Sequence, residues 1–383
     1  MTADHATLSQ TPALDALMAL PDAFAHNADS DARFLAAMQE AFAFHYQASP
    51  IYRTLCQQAG FAPQSLNSAD DLAKLPYILV DVFKRHHLTS LPEQDITITF
   101  TSSGTSGQKS HIALDQASFD RQALMRRRII ESQGLSSDTP VNYLVFSYDP
   151  SLAQGVGAAH THAIYATFAP ALEKVFAIRA GADGKPSFDE RDCVDVLCRY
   201  AEQSAPVRIG GFPAFAWRTL QELERQGKRL RLAPGSLVIH GGGWKSMADE
   251  AIAPELYAAK VDELLGIPHT HVRDFYGFVE HGVPYITCSE GHFHVPVYGR
   301  VFIRDPLTLK LLQEGEVGLP QMLTPYNRAQ PNISVLATDY AALHQNCPCG
   351  RPGLTLSLHG RAGVRKHQGC ALTASELLRA RAA

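Results

Sequence analysis

Nowhere does the sequence hold an uninterrupted apolar run of membrane-spanning length, so no helical span is expected. Its opening, "MTADHATLSQTPALDALMALPDAF", carries acidic residues and lacks both a basic start and a long apolar core, which argues against a signal peptide. No charge of one sign dominates. With 34 Lys and Arg against 38 Asp and Glu, the formal charge of -4 gives no general attraction to polyanions, so neither nucleic acid nor an anionic membrane is the expected partner. The seven cysteines, Cys56, Cys193, Cys198, Cys288, Cys347, Cys349 and Cys370, are odd in number and widely spread. In a chain without an export signal they fit reduced thiols in a cytoplasm. Repeats of fixed period and low-complexity tracts are missing too. What is present, 383 residues of which 45% are hydrophobic and 19% charged, suffices for a large core in one big domain or two.

The first 96 residues read as mainly helical. "DARFLAAMQEAFAFHYQ" places Phe34, Leu35, Met38, Phe42 and Phe44 at helical spacings with Asp31 as its cap, and "SPIYRTLCQQAG" restarts after Pro50 and stops at Gly60. From residue 97 to 284 the β-rich runs "DITITFT", "PVNYLVFSY", "GSLVIHGGG" and "HVRDFYGF" alternate with helical segments, the pattern of an α/β fold with a largely parallel sheet. Residues 285–359 read as a β-rich section with frequent turns. Residues 360–383 hold a short tail with room for one small helix from Thr373 and, on this reading, for no complete second domain.

"TFTSSGTSGQKSH" packs eight serines, threonines and glycines into the ten residues from Thr101 to Ser110. Such a loop after a strand offers unhindered N–H groups and hydroxyls to phosphate oxygens, with Lys109 adding charge. It is not a Walker loop, because Gly104 and Gly107 are too close together, and a polar surface connector is the bland alternative. Downstream, "VIHGGGWK" ends a strand in Gly241, Gly242 and Gly243, where a planar ring could slide against backbone; a tight turn reads equally well. "FYGFVEHG" offers the ring of Tyr276 beside Gly277, then the carboxylate of Glu280, suited to a base and to Mg²⁺. In "ATDY", Asp339 could accept from ribose hydroxyls or simply cap a turn. "HGRAGVRK" brings Arg361 and Lys366 into a glycine-flanked basic run.

The ordered set "SSGTSGQK", "GGGWK", "FYGFVE", "TDY" and "GRAGVRKHQG" resembles the phosphate loop, adenine loop, aromatic-Gly-x-x-Glu, ribose-Asp and hinge motifs of the adenylate-forming ligase superfamily. "SPIYRTLCQQAGFAPQSLNSADDLAKLPYILVDVFK" resembles the N-terminal segment shared by phenylacetate-CoA ligases and the LuxE-type acyl-protein synthetases. "FSYDP", "FAPALE" and "EGHFHVPVYGRVFIRDP" lean toward the latter. The resemblance runs from about Phe34 onward and implies an acyl-CoA-synthetase-like large N-terminal domain with a strongly truncated C-terminal one. It further implies that Ser103, Gly104, Thr105, Ser106, Gly107 and Lys109 contact ATP phosphates, that Thr105 and Glu280 support Mg²⁺, and that Gly241, Gly242, Gly243 and Tyr276, with Gly277, frame the adenine. Asp339 would bind ribose, and Arg361 ribose or phosphate. Two departures stand out: no proline precedes Lys109, and only 23 residues follow Gly360, so the C-terminal-domain lysine has no counterpart unless Lys366 serves.

Cys370 lies beside Arg365, Lys366 and His367, whose positive charge favours its thiolate, and the resemblance implies an acyl thioester on such a cysteine; packing under "ALTASELL" is the alternative. Cys288, His294 in preference to His292, Cys347 and Cys349 are soft and imidazole ligands of the kind a closed structural Zn²⁺ site uses, though unliganded thiols fit the spacing as well. Phenylacetate-CoA ligase relatives carry similar pairs there. His160 and His162 read as core or pocket-wall histidines ahead of metal ligands, Arg126 to Arg128 as a solvated helix face, and "GGFPAFAW" as acyl-pocket lining or aromatic core. The function expected is that of a cytoplasmic, ATP- and Mg²⁺-dependent enzyme. It would activate a carboxylic, fatty acid as acyl-AMP and pass the acyl group to its own Cys370 for a reductase or acyltransferase partner. An aryl- or acyl-CoA ligase, and an inactive zinc-stabilised nucleotide-binding scaffold, are the alternatives.

Overall fold

The structure, a computed structural model, describes residues 11–102, 109–152, 166–244 and 250–361. Prolines at the first turn, where their missing N–H is not needed, open the helices Pro12–Met18, Pro50–Gln58, Pro213–Arg225 and Pro254–Leu265. The long helix Ala28–Ala48 begins earlier than Asp31. Its cap is Asn27, which accepts from the Ser30 N–H while Ser30 Oγ accepts from the Asn27 N–H. Asp31 instead lies in the first turn and pairs with Arg300 at 2.5 Å. Phe34, Ala37, Met38, Ala41, Phe42 and His45 form the buried stripe.

The strands, in chain order, are β1 (Ile78–Leu79), β2 (Ile98–Thr101), β3 (His111–Leu114), β4 (Val141–Tyr148), β5 (Ala171–Ala180), β6 (Pro186–Phe188), β7 (Val207–Gly211), β8 (Leu237–Gly241), β9 (Val272–Tyr276), β10 (Tyr285–Ile286), β11 (Phe293–His294), β12 (Arg300–Arg304), β13 (Leu319–Leu323), β14 (Ser334–Leu336), β15 (Asp339–His344) and β16 (Thr355–Arg361). The largest sheet runs β10-β9-β8-β7-β4-β5-β6, parallel from β9 to β5 with an antiparallel strand at each edge. All residues of β4 are buried, as a central parallel strand requires. Leu144, Phe146 and Tyr148 pack with the helices Glu190–Ala201, Pro213–Arg225 and Pro254–Leu265 on one face, while Val141, Tyr143 and Val145 face Ala166 and Ala169 on the other. The aromatics of "GGFPAFAW" belong to the first of these cores, with Phe188 and Phe215 edge to face at 4.7 Å. Gly211, at φ +109°, is required there, since a Cβ would meet the Phe146 carbonyl oxygen at 2.3 Å.

"DITITFT" does not join that sheet. Among the described residues it supplies β2 of a two-stranded antiparallel sheet with β3, the serine and glycine run lying between the two strands in sequence. Two smaller sheets follow, β1-β14-β13-β12 and β11-β16-β15, and β1 brings an N-terminal strand to the C-terminal part. One apolar core joins the N-terminal helices, the helix Gln116–Ser132 and the region from Val283 to Leu356. Arg128 of that helix is not simply solvated, since its guanidinium donates to the Leu20 carbonyl.

Candidate functional site

Open parallel sheets bind ligands beyond the carboxyl ends of their strands. Here those ends gather the Gly241 to Gly243 run and Tyr276: Gly241 closes β8 in register with Phe275 of β9, and Gly242 and Gly243 turn away with φ of 81° and 61°. The β2–β3 hairpin supplies a second wall. At the base of its loop Ser102 and Ser110 clasp each other, the Ser102 N–H donating to the Ser110 carbonyl at 3.1 Å and the Ser110 N–H to Ser102 Oγ at 2.9 Å. Ser110 is fully buried, and its hydroxyl donates to Glu280 Oε1 at 2.5 Å. A contact across 170 residues thus fixes the carboxylate to the root of the loop, while Lys109, one residue earlier, is exposed.

Glu280 is 5% exposed, and its backbone is held as tightly as its side chain. Asn332 Nδ2 donates to the Glu280 carbonyl at 2.8 Å, Asn327 Nδ2 donates to Asn332 Oδ1 and to the Ala113 carbonyl, and Gln330 Oε1 accepts from the Ala113 N–H. These buried amides stitch β3 to the acidic segment. A run such as "YNRAQPN" reads locally as a turn, so only the hydrophobic residues around it hinted at burial. Gly282, at φ +76°, is obligatory because a Cβ would lie 2.1 Å from the Tyr326 hydroxyl.

The third wall is β15–β16. Tyr276 donates its hydroxyl to Asp339 Oδ2 at 2.9 Å, joining the adenine and ribose candidates across 63 residues. Asp339 opens β15 opposite Arg361, the last residue of β16 in the register, so the hinge candidate reaches the same edge along the backbone. Glu280, Tyr276, Asp339 and the triple glycine thus lie on elements packed together around the sheet edge. Ser103, Gly104, Thr105, Ser106, Gly107, Lys366 and Cys370, together with His160, His162 and Lys245, lie outside the described residues.

Behind β9 sits the sulfur cluster. Cys288 Sγ, His294 Nε2, Cys347 Sγ and Cys349 Sγ offer ligand atoms all within 4.8 Å of one another. Cys288 and Cys347 stand 3.7 Å apart, and Cys349 is 3.2 Å from His294 Nε2. A tetrahedral zinc with Zn–S of about 2.3 Å and Zn–N of about 2.0 Å sets sulfurs about 3.8 Å apart and sulfur from nitrogen about 3.5 Å. The fit is therefore to a metal and not to a disulfide, whose sulfurs lie at about 2.05 Å. The two chain segments repeat one turn. Cys288 accepts at its carbonyl from the Gly291 N–H and Cys347 from the Gly350 N–H, both at 3.0 Å, with both glycines at φ 77°. The ring of His292, exposed, meets Cys347 Sγ at 3.3 Å, whereas His294 is buried among the four. Burial pushes the Cys347 thiol up to about 12; at Cys288 burial also acts upward but hydrogen bonds led by His294 outweigh it.

Two histidines are buried neutral beside these walls. His45 bonds Ser90 Oγ at 2.7 Å and the Asn327 carbonyl at 2.9 Å, and burial lowers its pKa from 6.5 to about 3; His281, against the Tyr285 hydroxyl at 3.0 Å, is lowered to about 3 by burial alone. Unfolding releases both to protonate near 6.5, so the unfolded chain binds more protons below that pH and stability falls as pH drops from 6.5 toward 3. Each contributes a slope of up to about 1.4 kcal/mol per pH unit. Urea midpoints should therefore fall between pH 7 and pH 5, and His45→Gln should flatten the fall. A pH-independent midpoint would contradict the assignment.

Residues 1–379 match the family model described as acyl-protein synthetase, LuxE. A long-chain-fatty-acid–luciferin-component ligase of Aliivibrio fischeri is 25% identical over 89% of this chain and 87% of its own. A phenylacetate-coenzyme A ligase of Thermus thermophilus is 24% identical over 82% of this chain and 66% of its own. Among solved structures, a 2-hydroxyisobutyryl-CoA ligase in complex with 2-HIB-AMP and CoA overlays with a TM-score of 0.67 at 18% identity, covering 93% of this chain and 74% of that one, a likeness of fold. The match over nearly its whole length shows that this chain belongs to the LuxE family of acyl-protein synthetases, AMP-forming acid–thiol ligases.

Proposed function

We propose that the protein activates a long-chain fatty acid as acyl-AMP and carries the acyl group on its own Cys370. The observation that supports this most is the tie from the loop root through Ser110 to Glu280 at 2.5 Å, which sets a carboxylate beside a loop rich in N–H and hydroxyl donors. In this reading residues 97–284 form the nucleotide- and acyl-binding core, residues 285–359 its β-rich support, and residues 360–383 the segment that delivers Cys370. Ser103 to Gly107 and Lys109 would grip the phosphates, Thr105 and Glu280 would hold Mg²⁺, which would offset phosphate charge, and Tyr276, the glycines Gly241 to Gly243, Gly277, Asp339 and Arg361 would orient the nucleoside. A carboxylate oxygen of the acid attacks the α-phosphorus, and the bond to the β-phosphate oxygen breaks to release pyrophosphate. The Cys370 thiolate, its proton lost to solvent and its charge favoured by Arg365, Lys366 and His367, then attacks the acyl carbonyl, and AMP leaves.

A partner reductase or acyltransferase would take up the acyl group, in a cytoplasmic setting where thiols stay reduced. No described helix is long and apolar enough to cross a membrane. ATP–pyrophosphate exchange across a panel of acids tests the first half. Exchange driven by long-chain acids is expected. Preference for aryl acids with release of a CoA thioester would favour a phenylacetate-like ligase, and no exchange with any acid would leave a nucleotide-binding scaffold.

The sulfur cluster is proposed as a structural zinc site of Cys288, His294, Cys347 and Cys349. Four protein ligands leave no open position for chemistry. It would clamp the β15–β16 turn, which bears Asp339 at its far end, to the segment after β9, which bears Tyr276. Purified protein should contain about one zinc per chain, and Cys347→Ser should lose it and melt at a lower temperature. A zinc-free wild type of full stability would overturn this.

A further inference from the structure

Arg273 is a buried guanidinium in search of an anion. It lies on β9 at 8% exposure, and its Nε and Nη1 are buried without a hydrogen-bond partner among the described residues. Leaving such a group uncompensated is costly, and it is retained where a negative charge faces it. The register shows what faces it. β9 and β10 pair Tyr276 with Tyr285 and Phe275 with Ile286, and the Thr287 N–H continues the ladder to the Asp274 carbonyl at 3.0 Å. The next antiparallel step sets Arg273 opposite Cys288, where side chains of opposed residues share a face with Cβ atoms about 4.5–5.5 Å apart. The ionisable groups near Arg273 are Cys288, Arg351, Glu290 and Cys349. Glu290 is exposed and bonded by Ser289, and Arg351 is engaged with the Ser132 carbonyl and the Phe24 ring.

We propose that Arg273 is the charge-balancing residue of the Cys288, His294, Cys347 and Cys349 metal centre, positioning its thiolates from β9. The proposal rests on the metal reading above. Three thiolates and a neutral imidazole around a divalent cation carry one net negative charge, and a guanidinium alone carries one positive. Each is unfavourable in the interior by itself, and together they cancel. Because the same strand ends in Tyr276, the centre and the nucleotide edge share one rigid element.

The test uses the full-length protein, zinc content by mass spectrometry, and zinc affinity by competition with a chromophoric chelator. Arg273→Gln should weaken zinc affinity about tenfold or more, and Arg273→Lys, which keeps the charge, should stay within about threefold of wild type. Removing zinc should lower the melting temperature of the wild type further than that of Arg273→Gln. Wild-type zinc with unchanged affinity in Arg273→Gln would overturn the role of Arg273 and leave the metal in place. A Lys variant as weak as the Gln variant would assign the effect to packing and overturn it as well. If Arg273→Gln does not fold, the Lys variant still decides, since a loss of tenfold there contradicts charge balance. A wild type without zinc would remove the metal reading itself.

Discussion

Cys370→Ser is expected to abolish the hydroxylamine-labile acyl adduct while leaving ATP–pyrophosphate exchange within about twofold of wild type. Exchange reports only the first half-reaction, in which no residue of the 360–383 segment supplies the nucleophile. Transfer needs a thiolate, and a serine hydroxyl in the same place has no comparable ionised fraction. In the proposed transfer the neighbouring charges of Arg365, Lys366 and His367 would favour a thiolate, which a serine does not form near neutral pH. The split between an unchanged first step and a lost second one is the signature to seek. An adduct that persists in the mutant would place the acyl group on another residue.

Glu280→Gln should cut pyrophosphate exchange by on the order of 100-fold or more with little change in thermal melting. The amide keeps the shape, and its oxygen can still accept from Ser110, so the buried strut at the loop root survives. What disappears is the negative charge proposed to hold Mg²⁺ opposite the phosphates. Ser110→Ala, by contrast, keeps the charge and removes the strut. A smaller loss of about tenfold is expected, with Ser110→Thr restoring most of it. Exchange within threefold of wild type in Glu280→Gln would remove Glu280 from the machinery and leave it a buried structural acid.

The sequence made single residues legible and left their partners hidden. "FYGFVE" pointed to Glu280 and Tyr276, but that Ser110 bonds the first and Asp339 the second depends on contacts across 170 and 63 residues, which no local pattern encodes. The α/β alternation was readable because the central strands β4, β7 and β8 are buried almost throughout, yet "DITITFT" has the same local look and pairs in a separate hairpin. Sheet membership is a tertiary property. Asn27 displaced Asp31 as cap because Ser30 completes a reciprocal box one turn earlier. The ligand types of the sulfur cluster were visible in "CSEGHFH" and "NCPCG", whereas the choice of His294 over His292 needed the strand β11 to point one inward and leave the other exposed. Asn327, Gln330 and Asn332 were missed altogether, because polar residues near proline look like a turn until a buried backbone edge is found to need them.

Intact mass of the purified wild type after incubation with ATP, Mg²⁺ and a long-chain fatty acid, before and after neutral hydroxylamine, tests the account most directly. The result predicted is a mass gain equal to one fatty acid less one water, dependent on ATP and erased by hydroxylamine. An unmodified chain under conditions where pyrophosphate exchange is fast would contradict self-acylation and make the acyl acceptor a separate molecule.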